Sequence, residues 1–100
     1  MEKAIKKYNR YKLSLEAIND NTDHQAPLNK IEFKFENRDD LFKVIELAKG
    51  KNIFAEELET IEFVIGLKLF SEVILRNREL PLFNELKPAI KGFMKKLKAI

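Results

Sequence analysis

Residues 56 to 76, EELETIEFVIGLKLFSEVILR, set the hardest condition on how this chain can fold. Their pattern predicts a helix. At about 100° per residue, Leu58, Ile61, Ile65 and Leu69 fall on one stripe, while Phe63, Leu67, Phe70 and Ile74 fall on another nearly opposite. A helix that is apolar on almost every side must be covered on almost every side. It is expected to start between Asn52 and Glu56, with Glu56, Glu57 and Glu59 near its positive end, and to run to about Arg76. Gly66 lies in its middle at a cost of about 1 kcal/mol against alanine and is the place for a kink, but one continuous helix is the expected form.

The rest of the chain supplies two strands and two further helices as cover. In residues 8 to 18, Tyr11, Leu13, Leu15 and Ala17 alternate with Lys12, Ser14 and Glu16, the period of a half-buried strand. KIEFKFE, residues 30 to 36, repeats the pattern more sharply, with Ile31, Phe33 and Phe35 on one side and Lys30, Glu32, Lys34 and Glu36 on the other. The two are expected to pair antiparallel. NDNTDHQAP between them is rich in turn formers and too long for a tight hairpin, so an irregular, mobile loop is expected there.

Asn37 is read as the N-cap of a first helix, with Asp39 and Asp40 in its first turn and a Lys49-Gly50 stop. Leu41, Val44, Ile45 and Ala48 form its apolar side. Pro81 suits the first turn of a third helix, since its missing N–H has no intrahelical partner there. Phe83, Leu86, Ile90, Phe93, Met94 and Leu97 then recur on one face, and Pro88 is expected to kink this helix near 84–88 or split off its first turn. Together these give an α+β chain: one domain over 1–100, with strands about 8–18 and 28–36 as an antiparallel two-stranded ribbon. Helices at about 38–49, 54–76 and 81–98 follow, packed on one face of that ribbon.

Composition narrows the function classes. Hydrophobic residues at 45% and charged residues at 35% fit a globular protein rather than a disordered chain. No apolar run approaches the roughly 20 residues needed to span a bilayer. The basic start, MEKAIKKYNRYK, is followed by no apolar stretch, so a cytoplasmic location is expected. With no cysteine and the single His24, no thiolate or histidine-pair metal site can be built, and no cofactor is expected. His24 itself reads as a polar loop residue. The carboxylates Glu32, Glu36, Glu72 and Glu79 lack a second catalytic group at meaningful spacing, and Ser14 and Ser71 lack a nucleophile-elbow context, so the chain is read as no enzyme.

Three constellations remain. Arg76, Asn77, Arg78 and Glu79 form a corner where two guanidiniums can hold a carboxylate or phosphate, helped by amides beyond Pro81. The same residues equally well cap one helix and start the next, and that reading is preferred. Lys87, Lys91, Lys95 and Lys98 line one face of the last helix, with Lys96 on another side. The stripe fits phosphates or an acidic partner, but no aromatic residue interleaves with it, so nucleic acid is the lesser reading. Residues 52–72 hold five Glu against one Lys and offer such an acidic complement. Last, Phe63, Leu67, Phe70 and Ile74 form a candidate dimer interface, because the ribbon and two helices can cover only part of the central helix.

FENRDDLFKVIELAKGK and GLKLFSEVILRNRELPLFNELKPAIKGFMKKLK resemble a family of small bacterial proteins catalogued only as a domain of unknown function. The resemblance covers roughly residues 8 to 98, and its most distinctive parts are GLKLFSEV, NRELPLF and FMKKLK. It implies no activity, cofactor or catalytic residue. The expectation from the residues is therefore a protein–protein interaction module that forms a homodimer through its apolar central helix, with a basic-surface adaptor for nucleic acid or an acidic partner as the alternative.

Overall fold

Alternation of charge and apolar side chains produces the expected pair of strands. In the computed structural model, which describes residues 8–18 and 29–100, β1 (Asn9–Glu16) runs antiparallel to β2 (Lys30–Asn37). Tyr11 faces Phe35, Leu13 faces Phe33 and Leu15 faces Ile31, so period two gathers the apolar residues on one side. The Tyr11 and Phe35 rings lie 5.3 Å apart. On the other side Arg10 pairs with Glu36 at 3.8 Å, and Glu32 takes Lys30 at 3.2 Å, Lys12 at 4.0 Å and the Ser14 hydroxyl at 3.1 Å. The loop expected between the strands, with His24, lies outside the described residues.

Two units are distinguished, Met1–Asp39 and Asp40–Ile100. The second holds α1 (Leu41–Gly50), α2 (Glu57–Arg76), a 3-10 turn over Pro81–Phe83 and α3 (Leu86–Ala99). The chain is thus α+β, an antiparallel strand pair followed by helices.

The start of α1 differs from expectation. Its N-cap is Asp40, whose carboxylate accepts from the N–H of Phe42 at 3.1 Å and of Lys43 at 3.4 Å. Asn37 is instead buried at the end of β2, where its Oδ1 accepts the Asp39 N–H at 2.9 Å. The helix therefore begins at 41 rather than 38, and neither Asp39 nor Asp40 sits in its first turn. The stop also shifts: Gly50 stays helical and Asn52, at φ 54°, takes the left-handed position. Asparagine tolerates it better than most side chains.

α2 begins at Glu57, with Glu57 and Glu59 in its first turn as the dipole favours. The Lys49 ammonium reaches Glu46 at 3.3 Å and Glu57 at 3.6 Å, and its hydrogen bond to Glu46 holds it above the ordinary lysine range. The helix passes Gly66 unbroken. Its buried residues are Thr60, Val64 and Ile74, of which only Ile74 belongs to a predicted stripe. Ile45, Ala48 and Val64 form the core, with Val44, Ile61, Phe63 and Ile65 packed against them.

The third helix does not begin at Pro81. The segment splits, because Pro88 has no N–H to offer a turn that started at 81 but is harmless as the third residue of a helix starting at 86. The piece left over, 81–83, closes as a 3-10 turn through Phe83 N–H to the Leu80 carbonyl. Along α3, Leu86, Ile90, Met94 and Leu97 are half-buried, and no side chain is fully buried. Phe93 meets Phe63 edge-on at 6.2 Å, and Lys51 Nζ donates to the Ile100 carbonyl at 3.0 Å.

Candidate functional site

The corner at 76–79 is built as a joint. Asn77 ends α2: its N–H reaches the carbonyls of Val73 and Ile74, and its side-chain amide donates to the Val73 carbonyl at 2.8 Å. Its own carbonyl accepts the Leu80 N–H at 3.0 Å. Arg76, Arg78 and Glu79 are exposed and make no ion pair with any of the described residues. The helical amides expected beyond Pro81 as co-ligands of an anion belong to a three-residue 3-10 turn, and α3 starts only at Leu86.

The lysine stripe is split by use. Lys87 is half-buried and donates to the Arg78 carbonyl at 2.6 Å, which fastens the joint to α3. Lys91, Lys95 and Lys98 stand exposed without an ion-pair partner among the described residues. Three cations at this spacing form an ordinary solvated helix face, able to take an acidic surface.

The four residues of the candidate dimer stripe do not share one environment. Ile74 is 6% exposed and belongs to the core. Phe63 is half-buried between Phe54 and Phe93, and Leu67 is half-buried. Phe70, at 49%, is exposed, and on the same side of α2 stand Gly66 and Val73. On α1, Phe42 and Leu47 are each 70% exposed and line a shallow apolar depression with Lys43 and Glu46. Sequence reasoning passed over this pair, although both lie off the stripe that packs on α2. Among the described residues no group of three or more His, Asp or Glu gathers as a metal site, and no helix is long and apolar enough to cross a membrane.

A family model for a domain of unknown function with a solved structure, DUF3861, matches residues 9–99. The chain is also similar to a protein of unknown function from Pectobacterium atrosepticum, whose crystal structure superposes with a TM-score of 0.77 at 36% identity. That match covers 92% of this chain and 98% of the other. The comparison with curated proteins returned no match.

Proposed function

This chain belongs to the DUF3861 family, a domain of unknown function, and we propose that it is a non-enzymatic protein–protein interaction module that self-associates through its helical unit. One observation carries this reading: α2, the longest helix, leaves Phe70 and Val73 49% and 41% exposed beside its buried line of Thr60, Val64 and Ile74. Covering a large apolar side chain is worth roughly 1.5–3 kcal/mol, which is large beside a domain's net stability of about 5–15 kcal/mol. A two-fold partner covers such a patch with its own copy and closes at two subunits. The cytoplasmic setting rests on the sequence reading above.

Sedimentation equilibrium at micromolar concentration tests the proposal. A mass of twice 11.8 kDa supports it, and 11.8 kDa across the series overturns it. Phe70→Glu is expected to give a folded monomer. The adaptor reading for nucleic acid, resting on Lys91, Lys95 and Lys98, requires binding that falls steeply with salt. An apolar subunit contact has no such dependence.

A further inference from the structure

The order of charges along β2 makes that strand complementary to itself. Its outward positions read Lys30, Glu32, Lys34, Glu36, and the signs reverse about Phe33. The N–H of Ala17 donates to the Asn29 carbonyl at 2.9 Å, so residues 31, 33 and 35 turn their backbone groups toward β1. By alternation Lys30, Glu32, Lys34 and Glu36 turn theirs to the open edge of a sheet that has only two strands among the described residues. That edge carries no proline, an invitation to further pairing.

From this we infer that β2 pairs antiparallel with β2 of a second copy of this chain, about a two-fold axis at Phe33, giving a four-stranded sheet. The inference rests on the self-association proposed above and adds a second contact surface to it. In this register Lys30 faces Glu36 and Glu32 faces Lys34 of the other copy, so every pair on the polar side is of opposite charge. On the apolar side Phe33 faces its own counterpart in a non-hydrogen-bonded pair, where side chains come closest, and Ile31 faces Phe35. Sliding by two residues sets Glu32 against Glu32 and Lys30 against Lys34, or Lys34 against Lys34 and Glu32 against Glu36. Sliding by one turns the apolar sides apart.

Two features of the single copy favour the pairing. Within the hairpin Lys34 faces Lys12, a like-charge pair, and it has no ion-pair partner among the described residues. The second copy supplies it with Glu32. Ile31 and Phe33 are 59% and 42% exposed and gain aromatic and β-branched neighbours. A two-stranded ribbon is marginal alone, and four strands are not.

Charge exchange in the full chain is the test. Lys34→Glu and Glu32→Lys each set like charges opposite one another in their own homodimer, and each is expected to weaken self-association on the order of tenfold or more. An equimolar mixture restores opposite charges at both positions and is expected to regain a mass of twice 11.8 kDa. Lys34→Pro is a second route: it removes only an N–H that faces away from β1, so the hairpin stands while the edge is blocked. Variants that associate as tightly as wild type, or a mixture that stays monomeric, overturn the strand pairing. A dimer that ignores these changes yet dissociates in Phe70→Glu overturns the strand pairing alone, whereas a wild-type monomer overturns self-association altogether.

Discussion

Phe54 sets its ring 5.2 Å from that of Phe63 at an interplanar angle of 57°. The first residue belongs to the connection between α1 and α2 and the second to α2, so the pair pins that connection onto the helix it leads into. Phe63 in turn packs against the Ile45, Ala48 and Val64 core.

Phe54→Ala is therefore expected to destabilise the chain by about 1–3 kcal/mol, less than a fully buried phenylalanine because the ring is only half-buried. Urea denaturation measures it. A loss below about 0.5 kcal/mol shows that the connection is not held by this ring.

Asp40→Ala removes the cap of α1 and is expected to cost about 0.5–2 kcal/mol, while Asp40→Asn keeps most of it. Amide exchange at Phe42 and Lys43, whose N–H groups the carboxylate accepts, should quicken in the alanine variant and not in the asparagine one. Unchanged exchange in the alanine variant refutes the cap.

The cap also illustrates what the sequence could convey. Asn37 and Asp40 are both good N-caps three residues apart, and only the pairing of β2 through Asn37 decides that the first belongs to the strand. The strands themselves were legible, since Ile31, Phe33 and Phe35 alternate with charges and no helix can segregate them. The hairpin register was not, because the sequence between the strands carries no two-residue turn signature that would set it. The side of α2 that faces the core was illegible for a different reason: with apolar residues all round, periodicity ranks no direction, and the buried line includes the polar Thr60. At the corner, Asn77 ends α2 as capping chemistry suggests, whereas Glu79 precedes a 3-10 turn rather than the start of α3. The charge order of β2 was present in the sequence but acquires meaning only once the open edge is known.

Gly66→Ala is expected to stabilise the chain by up to about 1 kcal/mol, because the glycine is helical and a Cβ there meets no atom within 4 Å. Thermal melts and sedimentation are measured together. Destabilisation coupled to loss of the dimer means that a partner backbone approaches α2 closely at Gly66, which refines the interface. Destabilisation of a monomer contradicts the open space around it.

The corner at 76–79 gives the last prediction. A joint and an anion site assign opposite importance to its residues. As a joint, it depends on Asn77, whose side chain holds the Val73 carbonyl, and on Lys87, which holds the Arg78 carbonyl. As an anion site, it depends on the two guanidiniums, which are exposed and have no ion-pair partner among the described residues. Asn77→Ala is expected to cost about 0.5–1.5 kcal/mol, the net worth of a hydrogen bond, and Arg76→Ala and Arg78→Ala to stay within about 0.5 kcal/mol of wild type. Phosphate should then shift the melting temperature equally in wild type and both arginine variants, since screening of surface charge does not distinguish them. A phosphate-dependent rise that either arginine substitution abolishes would establish the anion site and displace the joint as the reason these residues stand together.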